Sequence, residues 1–364
     1  MWTPCAGSVT PWQTHLGSEE YPPDAKAFHI VAPSASTGTA GKNIARYWDH
    51  YASSVTKERV TQLGFYPYQY GYPWETVVKK DFTEKTTKLY AHGRMSYEMA
   101  YVMPDNKTVY HTDDGNNCVF TMMKLKKEKD LKEGTLYCMK MTQTSPAGGD
   151  VKDFKADIEF IEMPTPTHKE AEDAIKTTTF QDLFDFEACN TDGTCPSAAS
   201  GFKSINVGIA VSNVACECLK VKTGKEKLAS VFEKRRYAAY LGCTAELYRW
   251  EGITYDADSK KAYTAISNVG LGMNDNDAMY DKGGPNHIKT LANECGCVME
   301  MDIDAEMTPT KARMLVCGKP LATAAAKVGD TEDKCDTNSI ANPDNVAVIP
   351  KAKQVPPHFP PRFA

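Results

Sequence analysis

Two stretches of the chain repeat one pattern, and that repeat limits the folds open to it. Glu98 stands twelve residues before Tyr110, and Glu251 twelve residues before Tyr263. In each stretch the acid opens a short β-prone run. An Asp-rich turn follows (Pro104-Asp105-Asn106 and Asp256-Ala257-Asp258), and a second β-prone run closes the unit. A hairpin of this kind cannot bury its faces alone, so its recurrence predicts a mostly β protein, a β-propeller of packed blades. Innermost strands line the centre of such a fold, and an acid at the same point of successive blades predicts a ring of carboxylates. Asp344 opens a third run, with Pro350 six residues beyond it as Pro104 is beyond Glu98. This predicts a third hairpin. Hard cations bind such rings; for any one acid alone, capping a surface turn is the alternative.

Arg249 precedes Glu251 by two residues in Tyr248-Arg249-Trp250-Glu251-Gly252-Ile253-Thr254-Tyr255-Asp256. On extended chain, side chains two apart point the same way. Both are therefore expected to face one cavity, Glu251 as a metal ligand and Arg249 as an anion clamp. Further candidate ligands lie elsewhere. Cys5 precedes Ala6-Gly7, where small residues let backbone approach a metal, and its thiolate suits iron or zinc rather than calcium. Glu19 and Glu20 follow an apparent strand at residues 12–16, whose alternation turns one of them inward. Asp113 and Asp114 end the strand after Glu98, as ligands or as turn formers.

A net charge of −5, with no basic run or aromatic-and-basic stripe, argues against a nucleic-acid binder. No apolar run approaches the roughly 18 residues that span a bilayer. Met1 to Cys5 shows neither the basic start nor the apolar stretch of an export signal. The twelve cysteines nonetheless suggest an oxidising compartment. Cys189 and Cys195 bracket a Gly/Asn/Asp loop, while Cys216-Glu217-Cys218 and Cys295-Gly296-Cys297 are C-x-C pairs. Loop disulfides are expected in preference to structural zinc, because no C-x-x-C pair or paired His accompanies them. Asn106-Lys107-Thr108 is a glycosylation sequon on a predicted turn, consistent with export.

The chain reads as one propeller domain over residues 1–350, followed by a disordered Pro-rich tail at 351–364. A short helix is expected within 41–62, around Ile44 to Trp48, and an aromatic and proline-rich strand-and-turn at 65–74. Strands are expected at 86–91, 118–123, 134–141, 260–270 and 297–303, with a solvated loop at 124–132. Residues 165–240 read as an insertion or connecting layer, with helices at 167–175, 179–184 and 228–241. No GxSxG, P-loop or GxGxxG-plus-helix is present, so serine hydrolase, NTPase and dinucleotide readings lack support.

These residues resemble the PhoX-type alkaline phosphatases. The matching segments are Cys5-Ala6-Gly7-Ser8-Val9-Thr10-Pro11-Trp12-Gln13-Thr14 with Ser18-Glu19-Glu20, Gly93-Arg94-Met95-Ser96-Tyr97-Glu98, Arg249-Trp250-Glu251-Gly252, and Asn342-Pro343-Asp344-Asn345. The resemblance implies a six-bladed propeller whose channel holds Fe3+ and Ca2+ and hydrolyses small phosphate esters. It implies metal ligands at Cys5, Glu98 and Glu251, a later blade's acid at Asp344 and a phosphate-binding Arg249. A secreted monomer, extracellular or periplasmic, is implied as well. Two positions depart from the family's habit: Tyr97 where it usually has His, and Gln13 where it usually has Gly. The match also stops just after the third acid, so an incomplete propeller is expected. Two other readings fit the same residues, a non-catalytic calcium-binding propeller and a calcium-dependent propeller esterase or lactonase.

Overall fold

The structure, a computed structural model, describes residues 1–30, 64–209, 213–328 and 331–349. Strands β1 (Ser8–Val9), β2 (His15–Ser18), β3 (Pro73–Val78) and β4 (Glu84–Lys88) form a first antiparallel sheet in chain order. Strands β5 (Tyr97–Val102), β6 (Thr108–Asp113), β7 (Thr121–Leu125) and β8 (Gly134–Gln143) form a meander beside it. After β9 (Lys155–Met163), strands β10 (Phe184–Ala188), β11 (Lys203–Ile209) and β12 (Asn213–Val221) make a small separate sheet. A second meander runs through β13 (Trp250–Asp256), β14 (Lys261–Ile266), β15 (Cys297–Ile303) and β16 (Pro309–Cys317), and β17 (Pro320–Val328) pairs with β18 (Thr331–Cys335).

The two meanders are the predicted repeat. In both, the first strand shifts register at its acid. Tyr97 pairs with Asp113 and Ala100 with His111, just as Trp250 pairs with Ile266 and Ile253 with Thr264. The extra residue is a β-bulge, which re-aims a side chain and tightens the local twist. Beyond it, Tyr110 stands opposite Tyr101 and Tyr263 opposite Thr254, equivalent points of the two hairpins.

Strand β9 joins the meanders by pairing with both outer strands, β8 and β16, so that nine strands form one hydrogen-bonded run. The innermost strands β5 and β13 stand at its two ends and pack against each other, nearly closing the run. The result is mostly β and propeller-like. Period-two alternation builds the layers: Val109 and Met123 join the core shared with the first sheet and helices, while Tyr110 and Met122 join the core shared with the second meander.

Helices α1 (Ala25–Ile30), α2 (His168–Ala174), α3 (Phe180–Leu183), α4 (Glu226–Phe232) and α5 (Lys234–Leu241) cover the first of these cores. A capping box starts α2, with Thr167 and Glu170 satisfying each other's backbone N–H groups. The expected helix at 228–241 is instead two helices broken at Glu233, whose buried carboxylate accepts from Tyr68 and Arg236. The sheet β10-β12-β11 lies inside 165–240, where only helices were expected.

Other expectations are corrected. The strand expected at 86–91 ends at Lys88, and Tyr90–His92 is a 3-10 turn. Asp344 opens no hairpin, since residues 341–349 contain no strand. In the loop at 124–132, Leu125 and Leu131 are buried. The helix expected in 41–62 and the tail at 351–364 lie outside the described residues. Five disulfides join Cys138 to Cys243, Cys189 to Cys216, Cys195 to Cys218, Cys295 to Cys335 and Cys297 to Cys317. Each C-x-C cysteine therefore pairs away from its neighbour.

Candidate metal centre

The bulges of β5 and β13 aim two buried acids into the same cleft. Glu98 is 4% exposed and Glu251 2%. With Asp344 they bring three carboxylate oxygens within 4.8 Å of one another. Asp344 reaches them from a loop laid against β13, where the Gly252 N–H donates to its carbonyl at 3.0 Å. A Cβ at Gly252 would stand 3.1 Å from that carbonyl oxygen, so glycine is what permits the approach. Cys5, Glu20 and Glu98 form a second such group, and Glu98 belongs to both. The Cys5 thiol donates to Glu98 Oε2 at 3.1 Å, and Ser267 Oγ donates to Glu251 Oε1 at 2.7 Å.

So many acids in a partly dry cleft cannot all ionise cheaply. Burial pushes the Glu98 carboxyl up to about 7; the Cys5 hydrogen bond opposes this, while Asp344 and Asp114 add repulsion. Burial likewise pushes Glu251 up to about 7, with Asp114 repelling it and Ser267 pulling it back. Glu20 is pushed up to about 8, again by burial first. The Cys5 thiol is driven far above its usual range by the burial of its inner side and by the Glu98 hydrogen bond and charge. All of these shifts have one cause in common, burial of acids with little positive charge beside them.

Among the described residues, Arg249 is the cation that faces these acids. Its Nε lies 3.5 Å from Glu251 Oε1 and 3.7 Å from Asp114 Oδ1, and its side chain is 49% exposed. Arg249 and Glu251 do share the cavity, but not by plain strand alternation. Arg249 has a left-handed backbone (φ 52°), held by its N–H to Gly115 O and by the Ser267 N–H to its own carbonyl, and the bulge then turns Glu251 inward.

Not every candidate reaches the cleft. Glu19 does not: its oxygens accept from the Trp2, Gly71 and Tyr72 N–H groups and from Lys88 Nζ at 2.8 Å. It is a fully committed structural carboxylate, so of the pair only Glu20 faces in. Asp113 is bound on both oxygens by Arg235, at 2.6 and 2.7 Å. Tyr97 points away into the core, its hydroxyl donating to the His92 and Gly93 carbonyls. Gln13, standing where the family usually has Gly, adopts φ 66°, the conformation glycine supplies most easily.

Two residues of the cleft had no part in the sequence reading. Ser267 stands sixteen residues after Glu251, as Asp114 stands sixteen after Glu98, so the repeat itself carried the signal. Tyr21, which follows Glu20 and hydrogen-bonds Asp114, had none.

The family model described as alkaline phosphatase PhoX matches residues 2–353. A solved structure, Pseudomonas fluorescens PhoX in complex with vanadate, a transition state analogue, superposes with a TM-score of 0.57 at 17% identity. The match covers 94% of this chain and 52% of that one, so the chain spans about half the length of that relative. At this identity the likeness is one of fold. No curated protein matches the chain.

Proposed function

The chain belongs to the alkaline phosphatase PhoX family, and we propose that it is a metal-dependent phosphomonoesterase acting on small organic phosphate esters. One observation carries the reading: a half-exposed guanidinium, Arg249, stands over buried carboxylates that lack enough positive charge of their own. An anion that brings its charge to such a place is received by Arg249.

The donor set fits the ions the family implies. The carboxylates of Glu98, Glu251 and Asp344 would hold Ca2+, and the sulfur of Cys5 together with Glu98 and Glu20 would hold Fe3+. When bound, the ions supply Lewis acidity, neutralising ester oxygens and easing the deprotonation of water. The chain's own residues do the rest. Cys5 and the protonated acids release protons to make their donor atoms available. Ser267 keeps Glu251 in place. Arg249 binds and orients the phosphate. We place this activity in one domain, residues 1–350, of a monomer working outside the cytosol. Five disulfides support an oxidising compartment of that kind. Among the described residues, no helix is long and apolar enough to cross a membrane.

The test is hydrolysis of a generic aryl phosphate at alkaline pH, before and after a chelator and after adding back calcium and iron. Turnover that the chelator removes and the metals restore is expected. Arg249→Ala should lower it by about 10²–10³-fold while calcium binding persists. Folded, metal-supplied protein without turnover would leave a calcium-binding propeller in place of an enzyme.

A further inference from the structure

The guanidinium of Arg249 lies within ion-pair range of two acids, with its Nε 3.5 Å from Glu251 and 3.7 Å from Asp114, yet it closes on neither. Asp114 is 3% exposed and lies 3.7 Å from Arg249 Nε, beyond a hydrogen bond. A buried carboxylate so close to an arginine would ordinarily close on it in a bidentate pair, as Asp113 does on Arg235. Asp114 does not; its two oxygens are drawn toward other donors. Oδ1 accepts from the Gly115 N–H at 2.7 Å, and Oδ2 accepts from the Tyr21 hydroxyl. Its backbone is pinned as well, the carbonyl accepting from Arg235 Nη2 at 2.6 Å.

Tyr21 is itself held for this task. Its N–H donates to Ser96 Oγ at 2.9 Å, and its backbone lies at φ 48°, a conformation that is an outlier for a bulky side chain and persists only where the surroundings impose it. We propose that Tyr21 is a positioning residue of the phosphate subsite: its hydroxyl holds Asp114 off Arg249 and so keeps the guanidinium open to a phosphate monoester. This rests on reading Arg249 as the phosphate clamp.

Tyr21→Phe removes one hydroxyl and keeps the ring. The expected result is a KM for aryl phosphate raised about tenfold, roughly the worth of one charge-assisted hydrogen bond, with kcat little changed. In the same variant, phenylglyoxal should label Arg249 severalfold more slowly, as followed by peptide mass mapping of the metal-loaded protein. Combining Tyr21→Phe with Asp114→Asn should give the KM and labelling rate of Asp114→Asn alone, since Tyr21 acts through that carboxylate. Unchanged KM and labelling in Tyr21→Phe, with only the melting temperature lowered, overturn the proposal. So does a double variant that departs from Asp114→Asn as far as Tyr21→Phe departs from the parent. Labelling reads access to the guanidinium without any turnover. An inactive parent chain would therefore sink the phosphatase reading while Tyr21 was still decided.

Discussion

Asp113 and Asp114 are neighbours, equally buried, and live in opposite company. Asp113 faces a layer in which buried acids meet buried bases. Arg235 grips it with two nitrogens, Arg236 binds Glu217, Glu233 and Asp24, and Lys88 binds Glu19. There, Arg236 and Lys26 outweigh burial at Glu217 and hold its carboxyl below the usual range, while Asp113 and Glu233 are raised by burial but pulled back by Arg235 and Arg236. Asp114 faces the cleft, where Glu98, Glu251 and Glu20 crowd together with one half-exposed arginine and are all pushed up. The first arrangement is complete in the protein alone. The second is left short of positive charge, which is what separates a candidate binding site from a folding device built from the same side chains.

The largest effect that would sharpen this contrast lies in the paired layer. Arg236→Met strands Glu217 and Glu233 without their shared base and should cost about 3–5 kcal/mol in chemical denaturation; a cost below ~1 kcal/mol would erase the distinction. In the cleft the outcome should reverse. Glu251→Gln in chelated protein should be neutral or stabilising, because it removes a repelled carboxylate. Its loss appears only with metal, as disappearance of the calcium-induced stabilisation, about 2.7 kcal/mol at a hundredfold excess over Kd.

A pH series is the next, milder test. In the metal-free protein, Glu98 and Glu251 keep protons up to about 7 and Glu20 up to about 8, while the unfolded chain releases them in the ordinary carboxylate range. At these three acids the folded state therefore binds more protons across that window, and their contribution to stability falls as pH rises through it, while the buried, neutral His92 and His111 contribute in the opposite sense. The melting temperature gained on going from chelator to saturating calcium should therefore grow from pH 5 to pH 8. A gain that stays constant or shrinks over that range would contradict the geometry. The smallest effect belongs to Ser267→Ala, which removes one hydrogen bond from Glu251. It should cost about 0.5–1.5 kcal/mol and weaken calcium binding a few fold by titration.

The parts of this site that could be read from the sequence were local ones. A hairpin is short enough for its acid, turn and partner strand to recur at fixed spacing, so Glu98 and Glu251 were found together. Asp344 looked like a third copy only through the spacing of Asp344 and Pro350, with no second strand behind it; it reaches the cleft by another route. Alternation along β2 showed that one of Glu19 and Glu20 faces inward but not which, because the answer lies in Lys88 and the backbone at Gly71, far along the chain. Lys234-Arg235-Arg236 reads as an ordinary helical stretch, and nothing local says that Lys234 and Arg236 are buried and Arg235 half-buried, each on different partners. The disulfide pairs and the β10-β12-β11 sheet were hidden for the same reason. Strand β9 went unread, although Asp157 and Glu159 alternate there with Ile158 and Phe160, and nothing local points to its partner β16.

That strand gives the cleft a property no single blade could. Its seam with β16 rests on three residue pairs, Lys311 with Asp157, Ala312 with Ala156 and Arg313 with Lys155. Glu98 and Glu251 sit at the two tips of a ribbon bent almost into a hoop, and the gap between the tips is set by every strand spacing in between. A one-residue slip at the seam would shift the strand by about 3.3 Å and turn its side chains to the wrong face. The opening would then no longer fit the ions. On the proposed reading, metal capture would be a gauge of assembly, stabilising only those molecules in which the whole hoop has closed in register.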